Sequence, residues 1–259
     1  MTITDTHTSS TGTNVVDRPD PRALPTPLTA WSPASETFEL VAVDLYRDIH
    51  KGIRSELFAV VERAGSVDPS ERDAVCALVD HVTATHALLE GHAHHEDAFI
   101  QPVLERELPV LAERIEQDHV ALDRTIARIA EMALSIGAST ASARRDHHLL
   151  YIDLARFVSE YLVHIDIEER VLMPALEAVI GPEATLELNM AIVSSIPPDE
   201  MVTSLAMMLP AMNLEDRVDL LDGMRASAPP EAFAGVIDLA RSVLRADDRD
   251  ALARRLGIA

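Results

Sequence analysis

One pattern, written twice, constrains this chain more than any other feature. His92, Glu96, Asp97 and Pro102 read H-x3-E-[DE]-x4-P, and His164, Glu168, Glu169 and Pro174 repeat it in the same frame. A further histidine precedes each copy, His50 the first and His119 the second, but His119 stands three residues further ahead of its motif than His50 does. Residues four apart on a helix stand about 40° apart around its axis, so each His–Glu pair faces one way, one turn apart. A loop or helix end must then absorb the three extra residues of the second half. The spacing predicts two copies of one helical hairpin.

The apolar pattern gives those hairpins their helices. Phe38, Val41, Leu45, Ile49, Ile53, Leu57 and Val60 recur at three- and four-residue steps, predicting an amphipathic helix from about Glu36 to Ala64. Ser70 with Asp73 reads as a capping box for a second helix through Leu78, Val82, Leu89, Ala93, Ile100 and Leu104, which turns at Pro109. A third runs through Leu111, Ile115, Leu122, Ile126 and Ile129 to Gly137, and Thr140 or Ser142 caps a fourth that reaches about Val179. With 9 Gly and 3% aromatic residues, the body of the chain favours helix over a β core. Short connections make neighbours antiparallel, so the expected fold is all-α, an up-down-up-down four-helix bundle.

The levels agree with that topology. Glu96 and His119 stand almost equally far from Leu108 along the chain, one before it and one after, which at about 1.5 Å per residue puts both at one height across the turn. Measured from turns at Asp68 and Ser139, His50 and His119 lie nearer the turn than His92 and His164 do, by nearly the same amount in each hairpin. Both hairpins share one stagger, so four histidines and two glutamates can meet in one layer. Imidazole suits iron, zinc and copper, and a carboxylate can bridge two cations while neutralising part of their charge.

With its lone His, H-x3-E, lone His and H-x3-E on successive helices, the segment from about Glu36 to Val179 resembles the hemerythrin-like, HHE cation-binding family. The resemblance implies a di-iron centre held by His50, His92, Glu96, His119, His164 and Glu168, with Glu96 and Glu168 bridging two non-haem irons. It departs from the oxygen-carrying hemerythrins, which have a third-helix H-x3-H pair, because Asp123 stands four residues after His119. Asp123 reads as a solvated helix-face residue. If each iron takes about six ligands, roughly four positions stay open for water or a small ligand. The expected ligands are oxygen, peroxide or nitric oxide, and the expected role is binding or sensing, with no catalytic residue assigned. A peroxide-consuming or oxidase enzyme is the alternative, and an iron-handling protein another.

The remaining histidines read as structural. His94 and His95 point away from His92, and H-E-x-x-H is absent because Phe99 stands four residues after His95. His81 lies about three turns from His92, too far to share a metal; His86, His147 and His148 carry no pattern. Tyr46 and Tyr161, one turn from His50 and His164, read first as packing residues within reach of a bound oxygen species. Pro102 and Pro174, each six residues after its glutamate, predict a symmetric kink or helix exit.

Outside the bundle, residues 1–35 read as a disordered arm and 36–180 as the bundle. Residues 181–259 read as a helical extension, with runs around Met201, Arg217, Phe233 and Leu252. Met201, Met207, Met208 and Met212 form an apolar face expected to pack on the bundle or, in a homodimer, on a second copy. A net charge of −21 argues against nucleic-acid or anionic-membrane partners. Cys76 is the only cysteine, excluding an intramolecular disulfide framework. No run of about 18 apolar residues spans a membrane, and the arm lacks a signal-like apolar stretch, so the expected compartment is the cytoplasm.

Overall fold

Asp44 decides where the first helix begins. In the computed structural model of the chain, which describes residues 41–139 and 144–258, its Oδ1 accepts the N–H groups of Tyr46 and Arg47, each at 3.0 Å. That satisfies donors which a helix start leaves open. Helix α1 therefore spans Arg47–Ser66, and residues 41–46 ahead of it are not helical, contrary to the apolar periodicity. The backbone before Asp44 is tied down elsewhere, Ala42 and Val43 donating to the two oxygens of Glu177 at 2.9 and 2.8 Å. The arm over residues 1–35 lies outside the described residues.

Helix α2 spans Arg72–His95, and the expected Ser70–Asp73 capping box does not form. Asp68 Oδ1 instead accepts both the N–H and the hydroxyl of Ser70, at 2.9 and 2.8 Å, so that hydroxyl is not free to cap. A π turn over Glu96–Ile100 follows, then α3 (Gln101–Glu107) and α4 (Pro109–Ala138). Helix α5 (Arg144–Ile167) leads into a second π turn over Glu168–Leu172 and on into α6 (Met173–Ser195). The Thr140 or Ser142 cap expected for α5 falls outside the described residues. Within α6 the backbone leaves helical geometry at Gly181, whose φ of 81° favours a residue without a Cβ.

Both repeat prolines sit just beyond a π turn. Gln101 N–H reaches back five residues to Glu96 O, and Met173 N–H likewise to Glu168 O. Proline at the next position lacks the N–H that would continue an α-helical ladder, and an inserted residue is one way to resume it. The expected kink or exit is thus a widened turn after which the helix continues.

Helices α1, α2, α4 and α5 pack in a closed ring of neighbours, α1 on α2, α2 on α4, α4 on α5 and α5 on α1. Their inward stripes form a core from Ile53, Leu57 and Val60 of α1, Leu78, Val82 and Leu89 of α2, Ile126 and Ile129 of α4, and Leu154 and Phe157 of α5. Each such side chain stabilises the fold by roughly 1.5–3 kcal/mol. A second apolar layer gathers Tyr46, Ile100, Leu104, Ile115, Leu172 and Leu176. Along every helix of the ring, the proposed site residues fall between a member of one layer and a member of the other. Among the described residues there is no strand, and no helix is long and apolar enough to cross a membrane.

Four further helices follow: α7 (Pro198–Ala211), α8 (Leu214–Ser227), α9 (Pro230–Val243) and α10 (Ala246–Leu256). The prolines and Asn213 that punctuate the sequence stand at helix starts, and Asn213 Oδ1 caps α8 by accepting Asp216 N–H at 3.1 Å. These helices have their own core, including Leu209, Leu221, Ile237 and Leu252. Helix α7 packs along α1, where Met207 and Met208 close on Gly52; a Cβ there would meet Met207 Cε at 2.8 Å. Asp216 ties α8 to the same helix by pairing with Lys51 and Arg47.

Candidate metal centre

Four ring helices deliver one histidine each to the layer between the two apolar clusters. His50 comes from α1, His92 from α2, His119 from α4 and His164 from α5; Glu96 and Glu168 open the two π turns. All six are buried or nearly so, with His50 and Glu168 fully enclosed. The ligand-capable atoms of His50, His92, Glu96 and Glu168 lie within 4.8 Å of one another, and so do those of His119, His164 and Glu168. Glu168 belongs to both groups. Every residue singled out for the site by the repeat is therefore in one cluster.

The two carboxylates straddle the histidine pairs. Glu96 turns Oε1 toward His92 Nε2 at 3.6 Å and Oε2 toward His119 Nε2 at 3.4 Å. Glu168 turns Oε2 toward His50 Nε2 at 3.5 Å and Oε1 toward His164 and His119 Nε2 at 3.1 and 3.6 Å. None of these four oxygens has a hydrogen-bond partner among the described residues, nor does His119 Nε2. Burying a carboxylate without a hydrogen-bond partner costs several kcal/mol, and a cation between these atoms would give all four oxygens a partner. His50 and His92 Nε2 stand 3.2 Å apart. Two nitrogens bound at about 2.1 Å to a common ion, roughly 100° apart, have that separation. The donor set fits a metal cation.

Outer contacts aim the rings. His50 Nδ1 donates to Glu169 Oε1 at 3.0 Å, and Arg54 grips the same carboxylate with two nitrogens at 2.6 and 3.0 Å. His119 Nδ1 donates to Asp97 Oδ1 at 2.9 Å. A proton fixed on Nδ1 leaves Nε2 free to act as the ligand atom, pointing inward. Asp118 lies 3.9 Å from His164 Nδ1, beyond hydrogen-bonding range, and is held by Arg114. The repeat's second acid, Asp97 or Glu169, thus serves as an orienting group. Its repetition was a signal for this, but the partner histidine could not be read from spacing.

Charge follows the same geometry. Burial by itself would lower the pKa of His119, but Glu168, Glu96 and Asp97 outweigh it and hold the group at about 11. His164 is raised to about 9, where Asp118 and Glu168 overcome burial. His92 is lowered, chiefly by burial. Burial, reinforced by Glu96 and Glu168, also lifts Tyr46 and Tyr161 well above the usual phenol value. Their rings lie 4.9 Å from His50 and 5.7 Å from His164. Asp123 is exposed and outside the cluster, as are His94, on the surface, and His95, which pairs with Glu200 at 2.9 Å. His81 is held by Glu56 at 2.6 Å.

The model of the hemerythrin HHE cation binding domain matches residues 41–184. The chain belongs to the hemerythrin HHE cation-binding family. That domain covers the ring helices, both π turns and all six clustered residues, so cation binding and the buried His/Glu cluster coincide on the same segment. No curated protein and no solved structure gives a significant match to the chain.

Proposed function

We propose that this hemerythrin-like domain is a non-haem di-iron protein that binds or senses oxygen, peroxide or nitric oxide. His50 and His92 hold one iron, His119 and His164 the other, and Glu96 and Glu168 bridge them. The observation carrying this reading is the straddling of both carboxylates, one oxygen toward each histidine pair with every oxygen unpartnered. The topology in this reading is up-down-up-down. Its support is the order of the apolar layers, Tyr46 to Ile53 along α1, Leu89 to Ile100 leaving α2, Ile115 to Ile126 along α4 and Leu154 to Leu172 leaving α5, which reverses at each step.

Bound iron supplies open coordination positions and one-electron redox steps. The chain's own residues do the rest. Asp97 and Glu169 hold His119 and His50 in the tautomer that presents Nε2. The apolar layers exclude bulk water from both sides, and the buried Tyr46 and Tyr161 keep their protons and can donate a hydrogen bond toward a small ligand.

The test is metal analysis together with an optical spectrum before and after oxygen, peroxide or nitric oxide. Two irons per chain and a ligand-dependent absorption change are expected, whereas one tetrahedral zinc in carefully prepared protein would refute the proposal. Steady-state oxygen release from peroxide would move the assignment to a peroxide-consuming enzyme, and many irons per chain to iron handling.

A further inference from the structure

Helix α1 delivers His50 from its first turn. The helix begins at Arg47 and residues 41–46 ahead of it are not helical, whereas His92, His119 and His164 stand well past the starts of their helices. Helix ends fray. A metal site tolerates only about 0.2 Å in each ligand distance, so the first turn of α1 has to be held if His50 and His92, with Nε2 atoms 3.2 Å apart, are to share an ion.

The helices after the bundle supply that hold. Asp216 of α8 pairs with both Arg47 and Lys51, one turn apart on α1 and on either side of His50 in the chain. Met207 of α7 packs against the bundle core and meets α1 at Gly52, where an added Cβ would lie 2.8 Å from its Cε and 3.3 Å from Met208 Cγ. A large side chain at position 52 would hold α7 away. On the neighbouring helix, His95 Nε2, next in the chain to Glu96, donates to Glu200 Oε1 of α7 at 2.9 Å. The same oxygen would lie 3.6 Å from a Cβ at Gly91, the residue before His92. By contrast, none of α7–α10 packs along α4 or α5, the helices of His119 and His164, among the described residues.

We propose, on the di-iron reading of the site, that the C-terminal helices brace its His50–His92 half, so that docking of α7 and the ion between His50 and His92 stabilise each other. Met207 and Asp216 are the positioning residues. Gly52 and His50 share one stiff helical turn, so a shift of α1 against α7 is carried to His50 Nε2. Whatever factor docking adds to the affinity of this ion, the ion adds to docking. The ion beside His119 and His164 lies outside the coupling.

Two substitutions separate bracing from charge. Met207→Asp adds a negative charge near this half and Lys51→Met removes a positive one, so Coulomb attraction alone would tighten cation binding in both. Loss of the brace weakens it in both. Ferrous iron titrated anaerobically into the metal-free full chain is expected to bind in two equivalents, one of which weakens about tenfold in Met207→Asp and less in Lys51→Met while the other is unchanged. The second readout is hydrogen exchange of the α7 amides, which iron should slow about tenfold in the wild type and leave unaltered in Met207→Asp. The wild-type exchange needs no variant, so it decides the matter even where Met207→Asp folds poorly. Two equivalents bound with α7 exchange unaltered would overturn the brace and leave the di-iron reading standing, whereas no iron bound by the wild type would overturn that reading itself. Tighter binding in both variants, or an equal loss of both ions, also overturns the brace.

Discussion

Exchanging acid for amide at four adjacent positions separates bridging from orienting carboxylates. Glu96→Gln and Glu168→Gln keep side-chain size but leave one oxygen where the geometry calls for two, at 3.4–3.6 Å and 3.1–3.6 Å from histidines of opposite pairs. Each also removes a negative charge from a buried layer that, in the proposed di-iron reading, holds two cations. Asp97→Asn and Glu169→Gln retain an oxygen that can accept from His119 or His50 Nδ1, so the hydrogen bond survives while its charge assistance is lost. Losing an orienting partner typically weakens metal affinity about 10–100-fold, or ~1.4–2.7 kcal/mol. Glu169→Gln, which also breaks the two-pronged Arg54 contact, should lie toward the upper end. The bridging variants should lose more than that and emerge from purification depleted of iron. Iron per chain and competitive chelator titration, beside the wild type under one iron supply, give the ranking. If Glu96→Gln and Glu168→Gln stay fully loaded while Asp97→Asn and Glu169→Gln are empty, the assignment of roles is inverted and the reasoning fails.

Three further outcomes follow from the geometry. His119 and His164 have raised pKa values, about 11 and about 9, in the metal-free protein. They are protonated at neutral pH, and a metal must displace those protons, so affinity should fall as pH drops from 9 to 6, with up to two protons released per chain; titration in buffers of differing ionisation enthalpy counts them, and zero release would contradict the assignment. Phe157→Ala empties a fully buried position two turns from His164 and should cost about 3–5 kcal/mol in denaturant unfolding. Gly52→Leu should force α7 off α1 and speed proteolysis within α7–α10, whereas Gly52→Ala should stay near wild type because the clashing atom is the flexible end of Met207.

The helices and the cluster were legible because both depend on periodicity along one element. Ile53, Leu57 and Val60 recur with the helical period and are buried, and His92 with Glu96 or His164 with Glu168 needs only a four-residue step to face one way. Features that arise between elements were not legible. The period over Val41 and Leu45 implied helix, but Asp44 captured two N–H groups and Glu177, far along the chain, held the backbone before them. The prolines signalled a disturbance, yet whether a ladder breaks or widens depends on what the neighbouring helices allow.

The outer contacts tie the two halves of the repeat into one site. Glu169, in the second copy, orients His50 of the first; Asp97, in the first, orients His119 of the second. Each half thus supplies the group that fixes the other's lone histidine, and neither hairpin contains a complete half-site. The exchange is symmetric, but its surroundings are not. Four residues after the lone histidine the first copy has Arg54, which neutralises Glu169, while the second has Asp123, whose pKa is raised chiefly by burial against the opposing pull of His119. His164 has Asp118 nearby, immediately before the lone His119, whereas the residue immediately before His50 in the first copy is Ile49. More carboxylates therefore surround the His119–His164 side than the His50–His92 side, although Arg114 holds Asp118 and the raised pKa values keep both imidazoles charged in the metal-free protein. Carboxylates around a ligating imidazole raise its basicity, so two positions related by an internal repeat would bind their ions unequally. Protons nevertheless occupy His119 and His164 at neutral pH, whereas burial lowers the pKa of His92, so if two ions bind as proposed the first equivalent should settle beside His50 and His92 below about pH 9, and the unequal surroundings of the two repeats are what make the positions chemically distinct.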